Sequence, residues 1–484
     1  MSKSITTNGL YKLFLNLFRF TLPALIIPYV YRTLSPDNIG SVNYAEGIYA
    51  YINSIAILGL YDYSIRELGK VRHDKNKASE FFSNIITINI ISVSFALAIY
   101  LYVIFFTLSD HKIQVISCIL IAKLILLMVN IEWVNEAYEE YKFISIKTML
   151  CRTVSLVLMF LLINSKNDYI IYVWLNVLFD FLSSTLSLYY VLFYKKKVSF
   201  SLSYIKLDKV LYHFKRVIST LFIIDIGFFF FSFDKVILGS YSSTEQVAYY
   251  SLVEKIVMII VVLSSTLTQV TLPRLSVLAS TDRIEFINLI KKIYNALMMM
   301  VIPMLVGSIF LSKEIMYIFG ASEYVAAVPV LNVFIFYIFI FGTLKVFGSQ
   351  ILFALNKERV FIVLLVFFSL LNMAIKFFFK DNLSAYNVIL ITVSLLSLLS
   401  CVLYFYIIFV EKININIFNK NIFIYIVGSL PMFALNYIHT YISNVYVFTL
   451  VAVFYSSLCY VFILSILKDD ISQGLINKLA SRFR

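Results

Sequence analysis

A helix needs about 20 predominantly apolar residues to cross a bilayer, and this chain of 484 residues carries fourteen such stretches. They fall near 10–32, 39–62, 80–106, 113–135, 144–164, 168–194, 215–238, 245–272, 286–312, 325–348, 358–379, 386–410, 421–441 and 445–467. Hydrophobic residues make up 61% of the chain and charged residues 14%, against about 45–50% and about 25% in soluble domains. Burial in water saturates near three-quarters of the unfolded surface, so no soluble fold could hide this much apolar area. Soluble enzymes, disordered chains and disulfide-rich secreted proteins are excluded. The pattern predicts an all-α polytopic membrane protein. Its fourth and fifth spans are the weakest, because Lys123, Glu132, Lys147 and Arg152 interrupt them.

Loop charges orient the bundle. Lys and Arg gather after span 2 (Arg66, Lys70, Arg72, Lys75, Lys77), after span 6 (Lys195 to Lys197, Lys206, Lys209, Lys215, Arg216), after span 8 and in the tail. The opposite side carries only Lys112, Lys166, Lys313 and Lys380. By the positive-inside rule both termini are expected in the cytoplasm. The same rule accounts for the net charge of +13 without a nucleic-acid partner. Met1 to Gly9 is polar and lacks a small-residue cleavage site after a short apolar core, so no removed signal peptide is expected. Cys118, Cys151, Cys401 and Cys459 have no metal or redox spacing and read as small buried hydrophobes. The four histidines, His73, His111, His213 and His439, form no ligand pair, so no metal site is expected.

The outer loops are short. The longest, from Lys313 to Tyr324, is about a dozen residues, far below a folded domain. That leaves no outer platform for a membrane polymerase or transferase. Without a P-loop GxxxxGK[ST], the chain is not expected to hydrolyse ATP.

Two stretches match at a constant offset of 208. Ser35, Pro36, Asp37 and Asn38 lie over Ser243, Thr244, Glu245 and Gln246, and Glu46, Ile48 and Arg66 fall on Glu254, Ile256 and Arg274. Each copy reads as an outer turn, a span with one Glu, and an Arg at its inner end. The offset spans six helices, an even number, so the copies share orientation. Parallel repeats predict two lobes with the substrate between them. The expected organisation is an N-terminal lobe at 1–197, a cytoplasmic linker at 198–214, a second lobe at 215–411, and two extra spans with the tail at 412–484.

Five motifs carry a resemblance: Arg32 to Gly40 (RTLSPDNIG), Gly59 to Glu67 (GLYDYSIRE), Asp234 to Gly239 (DKVILG), Val247 to Ser251 (VAYYS) and Leu272 to Ser276 (LPRLS). With them the chain resembles the polysaccharide repeat-unit flippases. These Wzx-like O-antigen and capsule exporters belong to the multidrug/oligosaccharidyl-lipid/polysaccharide exporter superfamily. Ala248 departs from the pattern, standing where the second copy usually has Gly. The resemblance implies fourteen spans around a central cavity in a bacterial inner membrane. It also implies flipping of undecaprenyl-pyrophosphate-linked oligosaccharide to the periplasmic leaflet, with no enzyme activity. A polymerase and a chain-length regulator of the polysaccharide pathway are the implied protein partners.

Charges inside the spans point to a site. A charge at the bilayer centre costs about 2.5–3.5 kcal/mol on insertion scales, so Arg19, Lys123 and Arg152 are expected to face a watery interior and to bind an anionic head group. Arg grips phosphate oxygens in a bidentate way. Glu46, Asp180, Asp225 and Glu254 are candidate cavity acids for proton or sodium coupling, or structural partners of nearby cations; no other cofactor is expected. Lys235, Lys345 and Lys376 sit near span ends, where they are expected to snorkel to the interface. Polar stripes run along span 2 (Asn43, Glu46, Asn53), span 5 (Thr148, Arg152, Ser155) and span 6 (Asn176, Asp180, Ser183, Ser184, Ser187). Such stripes either line a cavity or glue helices together. The competing functions are a cation-coupled multidrug or lipid II exporter of the same superfamily, a membrane polymerase or transferase, and a non-transporting scaffold.

Overall fold

The computed structural model describes residues 18, 22, 24–221, 228–417, 419–435, 439–467, 469 and 473. Among these, all regular structure is helical. Among the described residues, nine of the expected spans are helices long and apolar enough to cross a membrane: Lys75–Thr107, His111–Ala137, Tyr141–Leu162, Tyr169–Tyr194, Arg283–Phe310, Ser322–Leu352, Glu358–Phe378, Ala385–Phe409 and Val445–Ile466. The protein is therefore an all-α polytopic membrane protein. The stretch Lys420–Ala434, within expected span 13, is helical but shorter.

Contacts divide the chain into two compact units, Met1–Ala248 and Tyr249–Arg484. In the first, α1 (Pro36–Ile57) is capped by Ser35, whose side chain accepts from the Asn38 N–H, with Pro36 at the first helical position. Both are standard helix-start devices. Expected span 2 ran on to residue 62, but α1 stops at Ile57. Leu58 and Gly59 adopt left-handed backbone (φ 49° and 76°), and a separate amphipathic helix α2 (Leu60–Val71) follows. Gly59 supplies the break, since a residue without Cβ takes positive φ without steric cost. Helices α3 (Lys75–Tyr102), α4 (His111–Leu126), α5 (Tyr141–Leu162) and α6 (Tyr169–Tyr189) come next. Asp74 and Asp110 cap α3 and α4 through the N–H groups two and three residues on.

The loop chain after α6 docks on α3. The Ser199 and Ser201 N–H groups donate to Ser79 and Ser83 Oγ, and the Lys206 N–H donates to Asn84 Oδ1. Helix α7 (Leu207–Leu221) then covers an aromatic core at one end of the unit, where Leu60, Tyr63, Phe81, Phe82 and Trp133 are buried. His213 joins this core. Its Nδ1 lies 2.7 Å from the Tyr63 hydroxyl, and burial lowers its pKa against the raising field of Glu67, which favours a neutral ring among the aromatics.

At the other end, the motif that carried the resemblance is a clasp. Asp37 pairs with Lys112 at 2.7 Å and accepts from the Thr244 hydroxyl. Asn38 donates to the Lys166 carbonyl at 2.6 Å. Helix α8 (Phe233–Tyr241) lies against α1. There Gly239 sits under the Tyr44 ring, and Tyr44 reaches Ser240 at 2.9 Å. A methyl group added at Gly40 would land on the Thr244 carbonyl. Gly40→Ala should therefore destabilise the protein by about 1–3 kcal/mol, the usual cost of overpacking. A melting curve of the purified protein reads this, and an unchanged melting temperature would show that the turn moves aside freely.

Helix α9 (Thr244–Thr281) crosses the boundary between the units and carries Pro273 inside it. The second unit continues with α10 (Arg283–Phe310), α11 (Phe336–Leu344), α12 (Glu358–Phe378), α13 (Ala385–Phe409), α14 (Lys420–Ser429) and α15 (Val445–Ile466). The cysteine expectation holds in part: Cys151 is buried, but Cys118 and Cys401 are exposed. They lie on apolar helices, where the surrounding medium is lipid, so exposure carries no hydration cost for a small hydrophobe.

Candidate functional site

Helices α1, α4 and α6 pack together, and α5 packs on α6. Their polar positions meet at mid-span. Lys123 on α4 pairs with Asp180 on α6 at 3.1 Å, and both side chains stay partly exposed, at 23% and 35%. The same ammonium lies 5.6 Å from the centre of the Tyr49 ring on α1. Tyr49 and Glu46 are one turn apart on that helix, and Glu46 is half-buried. Arg152 on α5 is also half-buried, its guanidinium 5.0 Å from the centre of the Phe179 ring beside Asp180. The first unit thus brings Lys123 and Asp180 together, with Tyr49, one turn from Glu46, beside the ammonium, while Arg152 meets α6 at Phe179. The Lys123–Asp180 pair lowers the cost of each charge at this depth while leaving both reachable. An incoming anion can take over the ammonium, and an incoming proton or cation can take over the carboxylate.

The remaining expected site residues fall elsewhere. Glu254 lies half-buried on α9 in the second unit. Arg19 and Asp225 lie outside the described residues.

The polar stripes split between the two roles. On span 2, Asn43 is buried and donates to the Tyr31 hydroxyl at 2.9 Å, which makes it packing glue. On span 5, Thr148 and Ser155 are buried. On span 6, Asn176 donates to the backbone carbonyl of Tyr172 at 3.0 Å.

A second charged cluster lies one level away and was not expected as a unit. Lys147 on α5 pairs with Glu132 of the short helix Glu132–Ala137. It also donates to Ser187 Oγ on α6 at 2.7 Å, and Ser187 donates to Glu132 at 2.5 Å. The Lys147 side chain is 2% exposed. A signal for this cluster existed in the sequence. Glu132 near the end of span 4, Lys147 near the start of span 5 and Ser187 near the end of span 6 lie at one depth once the spans alternate in direction. Glu140 continues the cluster, with Lys197 at 3.4 Å and the Tyr190 hydroxyl at 3.1 Å.

In the second unit Lys376 corrects an expectation. It does not snorkel: it is 0% exposed and donates to Thr392 Oγ1 of α13 at 2.5 Å, with Asn372 beside them. Proximity to the end of α12 was misleading, because α13 covers that face.

The chain is 23% identical over 386 residues to a protein of Escherichia coli (strain K12) described as "Putative O-antigen transporter", covering 77% of this chain and 89% of that one. Its fold matches the structure titled "Lipid II flippase MurJ, inward closed conformation" with a TM-score of 0.75 at 14% identity, over 96% of this chain and 99% of that one. It also matches a MATE structure in complex with MaL6, with a TM-score of 0.50 at 12% identity, over 83% and 94%. At these identities the two structures show a shared fold. The family described as "Polysaccharide biosynthesis protein" matches residues 5–279, more than half of the chain, and the protein belongs to that family.

Proposed function

We propose that this protein is a flippase that carries undecaprenyl-pyrophosphate-linked oligosaccharide repeat units from the cytoplasmic to the outer leaflet of a bacterial inner membrane, by alternating access of two lobes. It works as a transporter and not as an enzyme, with both termini in the cytoplasm. Arg19, Lys123 and Arg152 receive the pyrophosphate. Glu46, Asp180, Asp225 and Glu254 supply the acids through which a proton or sodium ion is coupled. A polymerase and a chain-length regulator act on the delivered product.

The observation that carries this reading is the partly exposed Lys123–Asp180 pair in the middle of apolar spans, with Arg152 half-buried in mid-span on α5. Ionisable groups at that depth usually mark a substrate or ion pathway. Family membership supports polysaccharide precursors as the cargo class. The basic segment Lys195 to Arg216 supports the orientation.

The test is reconstitution. Proteoliposomes holding the full chain and a fluorescent undecaprenyl-pyrophosphate oligosaccharide should expose the label to a membrane-impermeant quencher at least tenfold faster than protein-free vesicles. Equal rates would overturn the proposal. Bond formation between substrates would indicate a polymerase, and uptake of a cationic dye in place of the lipid would indicate a drug exporter.

A further inference from the structure

Where α2, α3 and α7 meet, a cavity of about 320 Å³ opens between them. That volume falls within the range of small-molecule sites. The cavity shares no residue with the mid-span site. Each of the three helices contributes a lysine to its wall: Lys70 from α2, Lys77 from α3 and Lys209 from α7. Their side chains are between 46% and 71% exposed, so all three can be reached from water.

Two carboxylates, Glu67 and Glu80, share the wall without balancing it. Glu67 already serves Arg66 at 3.2 Å and Lys70 at 2.8 Å. Glu80 serves Lys209 at 2.5 Å and Lys206 at 3.9 Å. Lys77 has Asp74, the cap of its own helix, at 3.6 Å. In this group five cations stand on three carboxylates, a surplus of two. The positive-inside rule accounts for a basic segment, but not for lysines of three helices converging on one cavity. An ammonium has three donors, so Lys70 and Lys209 can keep their carboxylates and still donate to a ligand.

The rest of the wall refines the chemistry. His213, its ring kept neutral by burial, lines the same cavity. The Tyr63 hydroxyl meets its Nδ1 at 2.7 Å; with the hydroxyl as donor, Nε2 holds the proton and serves as a further donor. Val71 and Phe81 supply an apolar side. Donors on three helices suit an acceptor whose oxygens point several ways. A phosphate monoester has three terminal oxygens and about −1.5 to −2 charge at neutral pH, which matches the surplus. A carboxylate or a phosphodiester offers two oxygens and a single charge.

We propose that this cavity binds a phosphate monoester, with Lys70, Lys77 and Lys209 on its oxygens and its organic part against Val71 and Phe81. The bound anion ties α7 to α2 and α3. A lipid head group and a soluble phosphate ester share this chemistry, and the site does not depend on what the protein carries.

The full chain in neutral detergent, at neutral pH and fixed ionic strength, should bind glycerol 3-phosphate saturably in a calorimetric titration. Dimethyl phosphate, a diester, should bind at least tenfold more weakly. Lys70→Gln/Lys77→Gln should bind glycerol 3-phosphate at least tenfold more weakly, because each lost ammonium removes a charge-assisted hydrogen bond. Its melting temperature without ligand should stay the same, since Glu67 keeps Arg66 and exposed ion pairs contribute little. Nanodiscs of phosphatidylcholine with and without phosphatidic acid identify the source. Loss of glycerol 3-phosphate binding in the presence of phosphatidic acid supports the site with a lipid ligand, and unchanged binding supports it with a soluble one.

Absence of saturable binding would overturn the proposal. A diester bound as tightly as the monoester would overturn it as well, because the surplus charge would then select nothing, and so would undiminished binding by the double variant. If that variant fails to fold, the comparison of monoester with diester on the native chain still decides.

Discussion

Lys123→Ala and Arg152→Ala chains should insert and accumulate yet lower surface polysaccharide at least tenfold. The expectation follows from depth and accessibility. Both cations sit in mid-span, and Lys123 keeps 23% of its side chain exposed although Asp180 lies 3.1 Å away. A pair built only for packing would be closed off, as the Lys147 cluster is. Arg152→Lys should give an intermediate loss, because an ammonium keeps the charge but not the planar fork that matches phosphate. The double variant Lys123→Ala/Asp180→Ala separates binding from pairing. If Lys123 serves the cargo, removing the acid leaves export low. If it serves only to neutralise Asp180, the single variant loses abundance and the double variant recovers both abundance and export. Recovery of export, or normal export by well-expressed Ala variants at both positions, would remove these residues from the site.

Lys147→Ala should be the most destabilising single change in the first unit. It strips the partner from Glu132 and one hydrogen bond from Ser187 in a place where the Lys147 side chain is 2% exposed. Removing one member of a buried pair costs about 3–5 kcal/mol, since the remaining charge has neither water nor counter-ion. Replacing both charges by apolar residues of similar volume is often neutral, so Lys147→Met/Glu132→Leu should melt within a few degrees of the native protein. Thermal melting in detergent reads both variants. A Lys147→Ala protein as stable as the native one would show that the cluster does not hold α5, α6 and the Glu132–Ala137 helix together.

Much of the architecture was legible without coordinates. Nine spans end within a few residues of their expected limits, because an apolar run of fixed length and a local cap decide where a helix lies; Asp282 and Asn444 cap α10 and α15 much as Asp74 and Asp110 cap α3 and α4. The Ser35–Asn38 motif was legible as a helix start, but its clasp to Lys112, Lys166 and Thr244 was not. Nor was the end of α1. The residues Ile57 to Tyr61 read as continuous apolar helix, and only the left-handed backbone at Leu58 and Gly59 separates α1 from α2.

The sequence by itself determined that the chain is an all-helical membrane protein, which way its loop charges are distributed, and which ionisable residues lie deep in spans. These properties depend on the local cost of placing apolar or charged groups in hydrocarbon, a cost that each segment carries whatever its neighbours are. Tertiary structure alone decided which charges meet. Periodicity assigns a residue to a face of its helix, but the neighbour across that face is chosen by packing between segments distant in the chain. So Lys123 finds Asp180 fifty-seven residues on and stays partly open, while Lys147 finds Glu132 and Ser187 and is sealed. Lys376, near the end of its own helix, is closed over by α13. Of three lysines on apolar spans, one thus stays partly open and two are sealed, because burial is a property of the assembled helices and not of any one of them.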